Sequence, residues 1–325
     1  MSRCRVRWLS LNRDSPPRGA HWDQTLLEDL LGDEGWQTGV RYEHDDCACG
    51  RHFDRYGGIV VVPGQHNAEI KATREDVGML DAAEFRFPTA SRIADVIEQM
   101  DWALVIVTSD EEGLFPLSML PEGPRYEVWT QYRDRPEAAR ILPIGYPPGL
   151  RNWARRRARM TGTHAEAQSP LFFAGQDNTR RRHELLKTLE AFDLPGMSYL
   201  ATDGFTQGMG QQNYWAAMLG ARMLPAPSGH VSVDSFRLYE ALELGRIPVI
   251  ERKTDTEDMM GTWERMFGAN PLPIVSSWEE LPELQSELGR KWAFTASRLS
   301  AWWQWQKREL AWALAETTQR LREAA

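Results

Sequence analysis

Two short apolar runs, each rich in β-branched residues, most constrain what this chain can fold into. Gly58–Pro63 reads GIVVVP, and residues 102–108 read WALVIVT. Such uninterrupted runs are typical of strands buried on both faces of a parallel sheet, because a strand with one face in water alternates apolar and polar residues. A helical pattern at residues 91–99 lies between them, and this alternation predicts an α/β fold with mostly parallel sheets.

The alternation of strands and helices continues to about residue 275 and indicates two domains rather than one. With 325 residues, 42% of them hydrophobic, the chain can bury two cores. The polar, basic stretch 152–167 predicts a linker or a crossing helix between two series of elements. Further strands are predicted at residues 5–11, 126–132, 140–144, 170–175, 197–202, 221–225, 247–250 and 273–275, and further helices at residues 22–31, 180–192, 213–219 and 234–244.

The C-terminal segment is rich in tryptophan and predicts helix. Large apolar residues recur at roughly helical spacing, which favours a stripe packed on a core. The stripe comprises Trp292, Leu299, Trp303, Leu310 and Leu314. We therefore predict Rossmann-like domains at residues 1–165 and 166–280, with helices at residues 281–325 that strap them together.

The charge and the cysteine content exclude several classes of protein. A net charge of −8 argues against general nucleic-acid binding, which depends on neutralising phosphates. Three cysteines are too few for a disulfide framework and favour a reducing compartment. The sequence has no signal-peptide core and no apolar stretch long enough to span a bilayer, so we expect a cytoplasmic protein.

Arginine is nevertheless concentrated in two places. The clusters are Arg151, Arg155, Arg156, Arg157 and Arg159, and then Arg180, Arg181 and Arg182. Such runs are often solvated helix faces. That interpretation stays open beside a phosphate site or a surface for an anionic acceptor.

The segment that carries most information about function begins at Ser228 and reads SGHVSVDSFRLYEALELGRIPVI. Its Ser-Gly-His loop follows a predicted strand, where backbone can approach a ligand. Asp234 or Ser235 can cap the next helix, and Gly245 can end it in the left-handed conformation. Arg237 in the first turn opposes the helix macrodipole unless an anion binds at the same helix end.

Arg237 and Glu240 are three residues apart and share a face of this helix. A phosphate beside Arg237 would place the Glu240 carboxylate where it can accept hydrogen bonds from ribose hydroxyls. The alternative is a plain ion pair on a surface helix.

The same segment resembles the C-terminal half of exostosin-type glycosyltransferases, inverting enzymes of the GT-B class. The resemblance implies two Rossmann-like domains facing a cleft, with the nucleotide and diphosphate of the donor bound by the second domain. Where that family often has a cysteine before Ile-Pro, this chain has Arg246. The matching residues are Asp234, Ser235, Arg237, Leu238, Glu240, Ala241, Gly245, Ile247, Pro248, Val249 and Ile250.

Further stretches resemble the same class, so that the resemblance covers residues 102–251. LFFAGQ at Leu171, followed by RRRHELL at Arg180, looks like the opening of the donor domain, where a glycine turn and an arginine can reach phosphate. Upstream, SDEEG, VWTQY and LPIGYPPG also match. The resemblance implies donor binding by Gly175, Arg180, Arg181, Ser228, Gly229, His230, Asp234, Ser235, Arg237 and Glu240.

Transfer with inversion needs a general base on the acceptor hydroxyl. Asp110 and Glu111 follow a buried strand, and the carboxyl ends of parallel strands face the ligand crevice. They are the predicted catalytic residues, with Asp203 as a further candidate, and the alternative is that Asp110 caps a turn. The residues predicted on the acceptor side are Tyr146, Gly208 and Arg155.

The predicted reaction requires no cofactor, and a divalent metal is not implied. Arginine and a helix end can neutralise the leaving diphosphate, and the cleft-facing segments carry no Asp-x-Asp. Separately, His44, Cys47, Cys49 and His52 offer nitrogen and sulfur ligands to a structural zinc ion, with a plain loop carrying reduced thiols as the alternative.

Taken together, these features predict a hexosyl- or pentosyltransferase that moves a sugar from a nucleoside diphosphate sugar, with a UDP-sugar favoured, to an acceptor hydroxyl with inversion. The acceptor is a bacterial glycan or a hydroxymethylated base in phage-type DNA. The alternative is a non-catalytic nucleotide- or glycan-binding protein on the same fold.

Overall fold

The computed structural model divides the chain into two compact units. Unit 1 comprises Met1–Pro143 and Glu309–Ala325, and unit 2 comprises Ile144–Arg308. The division lies nearer the N-terminus than residue 165, because the helix after residue 149 belongs to unit 2. The structure describes residues 5–9, 25–33, 41–43, 57–64, 69–71, 84–86, 90–161, 167–192, 194–202, 208–229, 232–255 and 257–325.

Unit 1 contains a parallel sheet with the order β2-β1-β3-β6-β7-β8, and β4 and β5 form a separate antiparallel pair. The elements of this unit are β1 (Arg5–Leu9), α1 (Thr25–Asp33), β2 (Arg41–Glu43), β3 (Gly58–Pro63), β4 (Glu69–Lys71), β5 (Glu84–Arg86), α2 (Ala90–Glu98), β6 (Ala103–Thr108), a 3₁₀ turn (Leu117–Met119), β7 (Tyr126–Gln131) and β8 (Arg140–Leu142).

The two apolar runs form neighbouring central strands of unit 1, as predicted. Every residue of β3 and β6 is buried, and the strands pair in parallel from Gly58 opposite Ala103 to Pro63 opposite Thr108. Helix α2 covers this part of the sheet with Ala90, Ile93 and Ile97. Continuous apolar strands are therefore explained by burial on both faces.

Unit 2 is a second parallel α/β unit, with the sheet order β10-β9-β11-β12-β13. Its first strand lies between its second and third, so the strand order reverses between β9 and β11. Its elements are α3 (Leu150–Thr161), β9 (Ser169–Gln176), α4 (Arg180–Phe192), β10 (Ser198–Thr202), α5 (Gln211–Gly220), β11 (Ala221–Ala226), α6 (Phe236–Glu243), β12 (Ile247–Glu251), α7 (Met260–Phe267), β13 (Ile274–Val275), a 3₁₀ turn (Trp278–Glu280), α8 (Leu281–Gly289) and α9 (Trp292–Glu323).

Pro248 lies inside an interior strand rather than marking a sheet edge. Strand β12 pairs with β11 at Pro248 but with β13 only from Ile250 onward. The Ile250 amide donates to Pro273, and alternate residues of a strand face the same neighbour. The nitrogen of Pro248 therefore faces the side on which β13 has not yet begun, where a missing donor loses no ladder bond.

Helix α9 buries most of the predicted apolar stripe. Leu299, Trp303, Leu310 and Leu314 are buried, whereas Trp292 is half-buried beneath the guanidinium of Arg246. The helix begins in unit 2, and its last residues belong to unit 1. Of the helices described, none has the combination of length and apolarity that crossing a membrane requires.

Candidate functional site

Arg237 lies at the carboxyl end of the unit 2 sheet, at the reversal of strand order. Its Nε donates to the carbonyl oxygen of Ala174 at 2.9 Å, and its guanidinium lies 5.2 Å from the ring centre of Phe173. Both partners are near the end of β9, whereas Arg237 itself follows β11 on helix α6. In open parallel sheets, ligands bind outside the carboxyl ends of the strands at this reversal.

Gly175 makes room for this arginine. A Cβ atom at Gly175 would lie 2.2 Å from Nη2 of Arg237, well inside van der Waals contact. Only glycine therefore permits the observed position of the guanidinium. The predicted glycine turn acts here by close approach of a side chain to the backbone.

Glu240 lies one turn further along α6, and its carboxylate is buried rather than exposed. Its Oε1 accepts from the indole Nε1 of Trp215 at 2.8 Å, and the Tyr214 hydroxyl also hydrogen-bonds with it. Burial raises the pKa of Glu240 to about 7, although Trp215 and the Arg237 charge act in the opposite direction. Arg237 and Glu240 thus interact, but not as an ion pair on a solvated helix face.

Ser228 is held by a carboxylate that the sequence did not indicate. The Ser228 amide and hydroxyl both donate to Oε1 of Glu251, at 2.7 and 2.9 Å. Glu251 is the last residue of β12 and is fully buried. Its Oε2 accepts a hydrogen bond from Nε of Arg181 at 2.6 Å. Burial raises the pKa of Glu251, against the effects of Ser228 and Arg181.

The N-terminus of helix α4 is already occupied by a carboxylate. The amides of Arg180 and Arg181 donate to Asp255 at 3.1 and 3.0 Å. The Arg180 side chain is exposed and pairs with Glu184. The backbone amides and side chains of these predicted donor-binding residues therefore already have partners within the unit.

Asp234 is a core residue rather than a helix cap or a ligand contact. Its carboxylate is buried and accepts from the hydroxyls of Ser232 and Tyr239, both at 2.5 Å, and from the Ile144 amide at 3.1 Å. Burial raises its pKa. Ser235 is the N-cap of α6, but its hydroxyl makes no capping hydrogen bond.

The Ser235 hydroxyl is nevertheless notable. Its oxygen is buried, and within the described part of the chain it has no hydrogen-bond partner. Most buried polar atoms are hydrogen-bonded, so an exception points to a water molecule, an ion or a ligand. Ser235 precedes Arg237 by two residues at the start of the same helix, which puts both at one helix end.

Asp110 closes a loop at the carboxyl end of the unit 1 sheet. Its carboxylate is buried, accepts from the amides of Leu114 and Phe115 at 3.0 and 3.1 Å, and lies 3.7 Å from Nη1 of Arg135. Burial raises its pKa, and the hydrogen bonds oppose that rise. This geometry agrees with the turn-capping alternative, whereas the neighbouring Glu111 is half-buried.

The predicted acceptor residues do not form one group. Tyr146 is buried in unit 2, with Nζ of Lys307 5.9 Å from its ring centre, so it belongs to the core. Gly208 is exposed, with φ of 88°, and Arg155 is exposed on α3. Exposure of Arg155, Arg156, Arg157 and Arg159 agrees with a solvated helix face.

Several predicted residues lie outside the described residues. They are His44, Cys47, Cys49, His52, Asp203 and His230. Within the described part, no group of three or more histidine, cysteine, aspartate or glutamate side chains is arranged to hold a metal ion. The zinc alternative at residues 44–52 is therefore still a prediction.

The sequence interpretation missed four residues of this edge, namely Tyr214, Trp215, Glu251 and Asp255. Glu251 could have been found, because it ends a strand and such positions line the ligand edge. Asp255 lies 75 residues after Arg180 and 74 residues after Arg181, whose amides it binds, and no local sequence pattern indicates such a contact.

No protein-family model matches the chain, and no curated protein matches its sequence. Among solved structures, it is similar to HepE of Anabaena in complex with UDP-glucose, at 11% identity, a TM-score of 0.42 and coverage of 98% of each chain. The complex of HepE with UDP and glucose gives 13% identity, a TM-score of 0.42 and 99% coverage of each chain. Such low TM-scores carry no functional argument, so the site must be interpreted from its own residues.

Proposed function

We propose that the chain is a glycosyltransferase whose unit 2 binds the diphosphate of a nucleotide-sugar at the carboxyl ends of β9 and β11. The observation that carries this proposal is the position of Arg237, a cation fixed over the end of β9 at the reversal of strand order. The resemblance of the surrounding segment to exostosin-type enzymes supports a nucleotide-sugar, with a UDP-sugar favoured.

Two features favour the start of α6 over the start of α4 as the diphosphate site. The α4 amides of Arg180 and Arg181 are bound by Asp255, which would repel an anion. At α6, the Ser235 hydroxyl is buried without a hydrogen-bond partner among the described residues, and Arg237 follows it. A phosphate there would receive a hydroxyl donor, a guanidinium and the positive end of a helix.

In this proposal, the acceptor hydroxyl attacks the anomeric carbon while the bond from that carbon to the diphosphate oxygen breaks. Negative charge develops on the leaving diphosphate, and Arg237 stabilises that charge more in the transition state than in the ground state. No metal is required, because the charge comes from arginine and a helix end. Retained turnover in excess EDTA is the expected result, and loss that Mg²⁺ restores would contradict it.

The general base is proposed to be Glu111, because both Asp110 oxygens already accept backbone amides. We expect Glu111→Gln to lower kcat by roughly 10²-fold while donor affinity is retained. Asp110→Asn serves as the comparison and should act mainly on stability. Unchanged kcat in Glu111→Gln would remove this residue from the reaction.

The proposal also covers three details of the reaction: inversion at the anomeric carbon, hexosyl or pentosyl specificity, and the acceptor. The exostosin-type resemblance supports inversion and a glycan hydroxyl. Exposed arginines of α3 would suit the phosphate backbone of hydroxymethylated DNA instead. Transfer to DNA should weaken steeply as salt rises, whereas transfer to an uncharged glycan should not.

The direct test is release of free nucleoside diphosphate from UDP-, GDP-, ADP- and dTDP-sugars in the presence of candidate acceptors. We expect release with one nucleotide class, and at least a hundredfold lower kcat/KM in Arg237→Ala. Arg290→Ala is the matched control, because Arg290 is an exposed arginine of the same unit. Binding without release by any donor and acceptor pair would favour the non-catalytic alternative.

A further inference from the structure

A buried ion pair ties together the loops at the carboxyl edge of unit 2. Nε of Arg181 lies 2.6 Å from Oε2 of Glu251, and both side chains are largely withdrawn from solvent. Arg181 also donates to the carbonyl oxygen of Ser276 at 3.4 Å, and Glu251 holds Ser228. The pair, called here the Arg181–Glu251 clamp, thus joins the first turn of α4 to the end of β12 and to the residues that follow β11 and β13.

The stability of the unit alone does not require such a pair. Removing two charges from water is expensive, and an apolar pair of similar volume is often as stable. A buried pair does, however, fix orientation, because both charges need their partners in one geometry. At the clamp, that geometry is imposed on Ser228.

Hydrogen bonds hold Ser228 at its amide, its hydroxyl and its carbonyl oxygen. Its amide and hydroxyl donate to Glu251, and its carbonyl oxygen accepts from Nη2 of Arg182 at 3.4 Å. A trans peptide unit is planar, with its carbonyl and the following amide pointing in opposite directions. The Gly229 amide therefore points away from Arg182, and the Ser228 donors are not available to a ligand.

We propose that Glu251 is a positioning residue of the donor site, which acts through Ser228 to orient the Gly229 amide toward the diphosphate. This inference rests on the proposed function. Glu251 does not touch the ligand in this arrangement. Its effect is to select one conformation of the loop after β11, so that a phosphate meets a preoriented backbone donor.

The test compares Glu251→Gln with Glu243→Gln. Glu243 is also a buried carboxylate of unit 2, and it accepts from Nε1 of Trp303 and Nζ of Lys307. It lies in the last turn of α6, away from the loop that holds Ser228. Both substitutions keep the side-chain shape and remove one buried charge, so they provide matched losses of stability.

We expect Glu251→Gln to raise the Kd and the KM for the nucleotide-sugar about tenfold, with kcat at saturation within about twofold of the parent. Glu243→Gln should leave Kd and KM within about twofold despite a similar fall in urea midpoint. Equal affinities in the two variants would overturn the inference. A purely structural role would lower the midpoint without separating KM from kcat.

Ser228→Ala keeps the test decisive if Glu251→Gln does not fold. This variant leaves intact both the Arg181–Glu251 ion pair and the hydrogen bond from the backbone amide of residue 228 to Glu251. It should raise Kd about threefold, and unchanged affinity in this variant would contradict the inference. If the unmodified chain binds no nucleoside diphosphate, the proposed function fails first. If it binds one normally and Glu251→Gln does so equally well, only the positioning role fails.

Discussion

The carboxyl edges of the two sheets differ although the two units share a strand order. In each unit, the first strand lies between the second and the third. In unit 2, Arg237 lies over the end of the first strand, and a glycine makes room for it. In the described part of unit 1, by contrast, Asp110 closes its own loop against Gly64 and the Phe115 amide.

Strand order creates a place for a ligand, and the side chains beyond the strand ends decide what can bind there. Parallel sheets of this order leave a crevice at the reversal, and side chains then give it a charge. In unit 2, the cation of Arg237 lies at that reversal, together with the buried Ser235 hydroxyl, which has no hydrogen-bond partner among the described residues. Four predictions test this contrast between the two units.

The largest effect is expected on the pH dependence of unfolding. The pKa of Glu240 is about 7 in the folded chain against 4.5 in the reference state, so the folded state favours the protonated form. The contribution of the Glu240 carboxyl group to the free energy of unfolding is fully present below pH 4.5, and it is lost as the pH rises to about 7. Relative to Glu240→Gln, the parent should lose up to about 3 kcal/mol of unfolding free energy across that window.

Urea denaturation at intervals from pH 4.5 to pH 8 measures this difference. Asp110, Asp234 and Glu251 also have raised pKa values, so only the difference between parent and variant is assigned to Glu240. Parallel curves for the two proteins would show that Glu240 does not titrate in this window.

The next prediction compares one glycine from the carboxyl edge of each sheet. In Gly175→Ala, the new Cβ would lie 2.2 Å from Arg237 and displace it, so nucleotide affinity should fall about thirtyfold. In Gly64→Ala, the new Cβ would lie 2.8 Å from the Asp110 Cβ, which should reduce stability by about 1–3 kcal/mol without changing affinity. Calorimetric titration with a nucleoside diphosphate separates the two, and a similar loss of affinity in both would remove the contrast between the edges.

Asp110→Asn should destabilise unit 1 by about 1–3 kcal/mol, because the amides of Leu114 and Phe115 and the guanidinium of Arg135 lose a charged partner. Nucleotide affinity should be unchanged. Thermal unfolding and titration on the same sample check both statements. A stable variant with reduced affinity would place Asp110 in a ligand site instead.

The smallest effect is expected at the other end of helix α6. Gly245 has φ of 64° and follows Leu244, the C-cap residue of the helix, and alanine there should cost about 1 kcal/mol of stability. Because Arg237 is at the opposite end of α6, nucleotide affinity should not change. A loss of affinity equal to that of Gly175→Ala would mean that α6 as a whole, rather than its first turn, carries the effect.

The sequence predicted the strands that are buried on both faces, such as β3 and β6, because this burial leaves a local signature. It did not predict the three-residue strands β2, β4 and β5. It also placed Arg237 in the first turn of α6, with Gly245 at its end. Asp234 was assigned to the donor through the exostosin-type resemblance, and its place before a helix also suggested a cap. Its hydroxyl and amide partners in the core carry no such local pattern.

The clamp escaped prediction for a related reason. Arg181 and Glu251 are 70 residues apart and meet only once the sheet has formed. The basic run at residues 180–182 suggested a phosphate site, whereas Arg181 and Arg182 are engaged by Glu251 and Asn178. Charge in a sequence thus indicates where a partner is needed, but not whether the partner is a ligand or the chain itself.

The central claim is that the start of α6 in unit 2 binds a nucleoside diphosphate through Arg237. Thermal unfolding with UDP, GDP, ADP and dTDP tests it most directly. At about a hundred times its Kd, a ligand should add about 2.7 kcal/mol of stability. We expect a clear shift in the unfolding temperature with one nucleotide, retained in Arg290→Ala and lost in Arg237→Ala. No shift with any nucleotide, or an equal shift in Arg237→Ala, would contradict it.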